Sequence, residues 1–131
     1  MDIARLQAAH AGTLAETLGI RFVEATKDLV VAELAHRPPL TTVGGALHGG
    51  TLMAFADTVG AAATFLNLPP GARTTTLESK TNFFSAGRGG VVRAEARPLH
   101  RGRRTMVWQT RVTDDGGRLL SLTIQTQMVL E

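Results

Sequence analysis

Four residues in the middle of the chain, His48, Gly49, Gly50 and Asp57, have the types and spacing to do chemistry on a carbonyl. Gly49-Gly50 opens an apolar stretch. If a helix begins there, its first N–H groups point outward with no Cβ to block a ligand, and the macrodipole adds partial positive charge. Such an end suits an anion or a developing oxyanion. The plainer role for glycines at a loop-to-helix junction is a tight turn. Asp57 shifts the balance. It lies among apolar residues, with Met53, Ala54, Gly60 and Ala61 at the helical neighbour positions and no base among them. An ionised carboxylate there is costly to bury without a partner. A carboxylate at the edge of a cleft, able to attack or to activate water, explains it better than one bonded to nearby backbone.

Gly49 and Asp57 are eight residues apart, about 12 Å along a helix axis. One carbonyl is not easily polarised by the first and attacked by the second in the same chain. Two such helices running antiparallel across a two-fold axis bring the N-terminus of one to the Asp of the other. The spacing therefore suggests a homodimer with shared sites.

The elements that must position these residues follow from periodicity. Residues 3–18 place Ile3, Leu6, Ala9, Leu14 and Leu18 at helical spacings, and Gly19 ends them, predicting one short N-terminal helix. Residues 20–35 carry two strand-like runs around Lys27-Asp28, a β-hairpin closed by Pro38-Pro39. A loop over 38–47 leads to a helix from Gly49 or Gly50 to about Leu66, stopped by Asn67, Pro69, Pro70 and Gly71. That helix is apolar almost all round and is expected to be buried on nearly every side. The rest is strand-like: 74–84, 91–99, 105–113 and 119–130, the last two joined by a turn at Asp114-Asp115-Gly116-Gly117. An antiparallel meander of about six strands curled around the apolar helix is the economical arrangement. This is an α+β architecture, the hotdog fold, in a single domain over 1–131.

Composition narrows the function classes. The chain has 131 residues, 44% hydrophobic and 19% charged, a globular profile. It contains no Cys, so disulfides, thiolate nucleophiles and zinc-thiolate sites are excluded. The start lacks a basic segment followed by an apolar run, and the stretch Leu52 to Leu68 is too short and too polar to span a membrane. A soluble, cytoplasmic protein without membrane association is the expectation. Net charge is +3 and aromatics are 5%; neither suits a nucleic-acid partner. The bases are mostly Arg, several between Arg88 and Arg104, and Arg suits phosphate. A solvated strand face is the plainer account of any one of them.

His48-Gly49-Gly50 with Asp57 resembles the HGG…D/E motif of the PaaI-like (phenylacetic-acid-degradation) hotdog thioesterases. Thr76-Leu77-Glu78 through Phe83-Phe84-Ser85-Ala86-Gly87 is similar to that family's next strand. His100-Arg101-Gly102-Arg103-Arg104-Thr105 is similar to its later Gly-Arg turn. The resemblance implies hydrolysis of acyl-CoA to free acid and CoA with no metal or cofactor. It implies Gly49 as oxyanion donor, Asp57 as nucleophile or general base, and His48 as shaper of the helix start. Thr76 matches a position that can hydrogen-bond the attacking water. Gly50 and Phe83 join the substrate-binding set, and Arg88, Arg103 and Arg104 are the candidates for the CoA phosphates. The implied assembly is a homodimer, commonly a dimer of dimers. One position departs: Thr42 stands where many members carry Asn or Gln, and a hydroxyl cannot reproduce an amide's paired donor and acceptor.

Two other classes compete. A non-catalytic acyl-CoA-binding module would leave Asp57 without a purpose. A hotdog dehydratase or hydratase needs a catalytic His with an acid, and that family's histidine motif is absent around His10, His36 and His100. Phe83, Phe84, Met53, Leu52 and Phe65 could line an aryl or medium-chain acyl pocket, though core is the plainer place for each.

Overall fold

A computed structural model describes residues 2–131. The N-terminal segment is two helices, not the single helix that periodicity predicts: α1, Ile3–Ala9, and α2, Leu14–Leu18. The break lies at His10–Thr13, where Gly12 takes φ +75° and its N–H donates to the Glu16 carboxylate at 2.8 Å. The apolar spacing runs through this turn without registering it, and Leu14, counted with the apolar face, is exposed. Gly19 ends α2 in the left-handed conformation, as a C-terminal glycine should.

The strands are β1 Arg21–Ala25, β2 Val30–Ala35, β3 Arg73–Phe83, β4 Val91–Arg101, β5 Thr105–Thr113 and β6 Leu119–Leu130. They form one antiparallel sheet in the order β1-β2-β4-β5-β6-β3. The expected meander therefore holds only for β4-β5-β6. β3 does not pair with β4; it sits at the far edge, beside β6. Residues 84–90 cross the end of the sheet, tied to it where the Phe84 N–H meets the Leu120 carbonyl at 2.8 Å. The hairpin turn after β5 forms as its residues dictate: Asp114 Oδ1 accepts the Gly116 and Arg118 N–H groups, and Gly117 has φ +84°.

α3, Gly49–Phe65, runs without interruption and packs against β2, β3, β4, β5 and β6. Leu52, Phe55, Val59, Ala62 and Ala63 pack on the core with Phe22, Val30, Leu34, Trp108, Val112 and Leu120. A stripe at three- and four-residue spacing, Met53, Ala54, Asp57, Ala61 and Phe65, is not buried; Met53 is 37% and Phe65 48% exposed. So the helix is covered on most sides but not on nearly every side. This is the six-stranded antiparallel sheet on a long central helix of the hotdog fold. No described helix is long and apolar enough to cross a membrane.

Candidate active site

The start of α3 is held from three directions. His48 caps it in extended conformation, and its Nδ1 accepts the Gly50 N–H at 2.7 Å. The neutral ring therefore carries its proton on Nε2. The His48 N–H and the Thr51 hydroxyl both donate to the Leu40 carbonyl, at 3.0 and 2.9 Å. The Leu47 N–H donates to Gly87 at 2.8 Å. A Cβ on Gly50 would stand 2.9 Å from His48 Nδ1 and push the capping ring aside. The cap thus separates the glycines. The Gly50 N–H is occupied and does not face a ligand, whereas the Gly49 N–H is engaged by no group among the described residues. A Cβ on Gly49 would lie 3.2 Å from the Phe83 ring, so structure brings this sequence-predicted pair together.

Asp57 sits one helix face away, half-buried on the uncovered stripe. Its Oδ1 accepts from the Thr76 hydroxyl at 2.7 Å and from Gln125 Nε2 at 3.0 Å. Behind these, Gln127 Oε1 accepts from Gln125 Nε2 at 2.9 Å and stands 2.6 Å from the Thr76 hydroxyl, whose one proton serves one acceptor at a time. Gln127 Nε2 donates to the Thr74 hydroxyl at 3.0 Å. Asp57 Oδ2 receives no hydrogen bond from a described residue.

The strand geometry explains how β3 serves this network. The pairing of β3 with β6 slips between Thr76 and Glu78, a bulge at Leu77. The bulge shifts the inward phase, so that Thr74 and Thr76 face the site before it, and Thr81 meets Thr123 at 2.7 Å after it. Leu77 itself is exposed.

Gln125, Gln127 and Thr74 escape a sequence reading because polar strand residues are ordinarily outward. In the structure Thr123, Gln125 and Gln127 occupy the inward phase of β6 with Ser121 and Val129, and all five are buried, whereas apolar Ile124 and Met128 on the other phase are exposed, so the alternation of this strand points the other way.

The other sequence candidates are placed apart. Thr42 is exposed in a tight loop, its N–H on the Ala46 carbonyl and its own carbonyl accepting from Gly45. Arg88 reaches the Gly44 carbonyl at 3.3 Å, beside that loop. Arg103 and Arg104 lie beyond the other end of β4, where they line an open hollow with Met128, Val129 and Glu131. Eleven strand residues, roughly 36 Å, separate the two groups, so Arg88 does not share a phosphate with Arg103 and Arg104 within one chain. Leu52 is core, not pocket wall. Phe65, with Ala61, Ala62, Leu6, Ala9 and His10, surrounds an apolar cavity of about 180 Å³ one turn beyond Asp57. Among the described residues, no three His, Asp or Glu side chains gather as metal ligands.

The chain is 33% identical over 118 residues to the proofreading thioesterase EntH of Cronobacter turicensis, covering 90% of this chain and 86% of that one. It is 31% identical over 130 residues to the 1,4-dihydroxy-2-naphthoyl-CoA hydrolase of Escherichia coli K12, covering 99% and 96%. The crystal structure of the thioesterase HI1161 from Haemophilus influenzae superposes with a TM-score of 0.96 at 27% identity, covering 100% of this chain and 92% of that one. Residues 44–121, more than half of the chain, match the family described as the Thioesterase superfamily. The chain belongs to that superfamily and is a thioester hydrolase.

Proposed function

We propose that this protein hydrolyses acyl-CoA thioesters to the free acid and CoA, as a PaaI-like thioesterase acting without metal or cofactor. The observation that carries the reading is the state of Asp57: one carboxylate oxygen is anchored and the other is free on the one uncovered stripe of α3. A free carboxylate oxygen can attack a thioester carbonyl or take a proton from water. The free Gly49 N–H, at the positive end of a seventeen-residue helix, supplies the complementary charge for the oxyanion.

The helix is unbroken from Gly49 to Asp57, so about 12 Å of axial rise separates donor and carboxylate in one chain. The working unit is therefore two copies, with Gly49 of one opposite Asp57 of the other, and such dimers pair again into tetramers. The match to a CoA-thioester hydrolase over nearly the whole chain supports CoA as the thiol.

The test is thiol release from phenylacetyl-, hydroxybenzoyl- and straight-chain acyl-CoAs by wild type and by Asp57→Ala and Asp57→Asn. Wild type is expected to turn over at least one class, and both variants to lose about a hundredfold or more in kcat while still binding. No turnover by wild type on any thioester, with acyl-CoA bound, makes this a ligand-binding module instead.

A further inference from the structure

We infer that Gln125 is a positioning residue for the reaction: it pins Asp57 Oδ1 so that Oδ2 is the oxygen presented to the substrate. The inference rests on the proposed role of Asp57 and assigns its two oxygens.

Gln125 lies in the middle of β6, paired with Ser79 on one side and Trp108 on the other, and it is wholly buried. Its contacts fix which end of the amide is nitrogen. The same atom meets a carboxylate oxygen and the Gln127 carbonyl oxygen, and only an NH2 group can serve both. Both amide protons are thereby committed, one to Asp57 and one to Gln127. The other end gains nothing from the protein: Gln125 Oε1 is buried and meets no hydrogen-bond donor among the described residues. An orphaned buried carbonyl is destabilising, and an apolar side chain of the same size would avoid that cost. Stability alone does not explain an amide at this position. Its one charge-assisted contact, to Asp57, does.

Gly60 is the second half of the device. A Cβ there would lie 2.2 Å from Gln125 Oε1 and 2.5 Å from its amide carbon. Glycine in a helix interior is unfavourable relative to alanine, and here its absent side chain is what lets the amide lie against α3 within reach of Asp57. Thr76 and Gln127 complete the ring around Oδ1. Gln125 is the committed donor to Oδ1 and the Thr76 proton, shared with Gln127 Oε1, adds to it, so these contacts favour the one carboxylate orientation that leaves Oδ2 outward.

The test compares Gln125→Met and Gly60→Ala with wild type, alone and combined with Asp57→Ala. Gln125→Met keeps the volume and removes the donor; Gly60→Ala keeps both Gln125 and Asp57 in the chain and displaces the amide. The expected result is a ten- to hundredfold fall in kcat for each, with KM within about twofold and a melting temperature equal to or above that of wild type for Gln125→Met. In the Asp57→Ala background neither change should reduce the residual rate further, because the group they position is gone. A structural role would lower the melting temperature and would add to the Asp57 loss. If Gln125→Met and Gly60→Ala keep the wild-type kcat while Asp57→Asn is inactive, the positioning role falls and the reading of Asp57 stands. If Asp57→Asn keeps the wild-type rate, both fall.

Discussion

His48 shows how far a residue type can be read without coordinates. A lone histidine is more often structural than catalytic, and the resemblance makes His48 the shaper of the helix start. Its geometry makes it the N-terminal cap of α3, with Nδ1 on the Gly50 N–H. That contact decides which glycine is left for chemistry, because it occupies one N–H and leaves the Gly49 N–H free. Replacing the ring by a methyl should cost about 1 kcal/mol of stability, the usual loss for a missing cap. For a chain of this size that is a fall of roughly 3–5 °C in melting temperature. His48→Asn supplies an equivalent acceptor and should recover most of it. The single Trp108, wholly buried, gives a fluorescence readout of unfolding for the series. A scaffold role requires that well-folded His48→Asn keep kcat within a few-fold of wild type. A loss of a hundredfold or more in that variant would give His48 a part in the chemistry. Asp57 was legible for a related reason: an acid among apolar residues with no basic neighbour has few structural explanations. Gln125 was not, since nothing local distinguishes an inward amide from an outward one until the strand's register is known.

At the scale of elements, legibility follows local punctuation. β5, β6 and α3 begin and end within a residue of where turn and capping residues place them, because Asp114-Asp115-Gly116-Gly117 and Gly49 are read by the backbone alone. Features set by distant partners were hidden. The placement of β3 beside β6 is one, since sequence neighbours pair by default and here a crossing loop prevents it. The Leu77 bulge is another. A strand shows its alternation only when the phase is constant, and in β3 the phase changes at Leu77, blurring the pattern of Thr74 to Phe83. The bulge has a functional consequence that deletion can measure. Without Leu77 the two halves of β3 share one phase, so either Thr74 and Thr76 or Ser79 and Thr81 must turn outward. Removing the residue should preserve a β-sheet circular dichroism spectrum but lower unfolding free energy by about 2 kcal/mol or more. It should also reduce kcat about tenfold or more. An active, stable deletion variant would mean that the bulge does not aim Thr76.

For the whole molecule, the distance between the two ends of the reaction becomes an assembly question. The uncovered stripe of α3, with Met53 and Phe65 flanking Asp57, is a surface that a second copy can cover, and the free Gly49 N–H lies two turns away along the same helix. If sites are shared, each protomer contributes its helix start to one site and its carboxylate to the other. Mixing two inactive variants distinguishes this from a self-contained site. Gly49→Val places a branched side chain against the Phe83 ring, where a Cβ is already at 3.2 Å, and so closes the donor end. Asp57→Ala removes the carboxylate. Each homodimer lacks one component at both sites. In a heterodimer one site carries both defects, and the other has an intact Gly49 and an intact Asp57. Unfolding an equimolar mixture and refolding it gives half heterodimers, each with one of two sites working, so activity should return to about a quarter of wild type. The recovery should grow with the time allowed for exchange and be absent when the variants are mixed without it. A site complete within one chain predicts no recovery under any mixing.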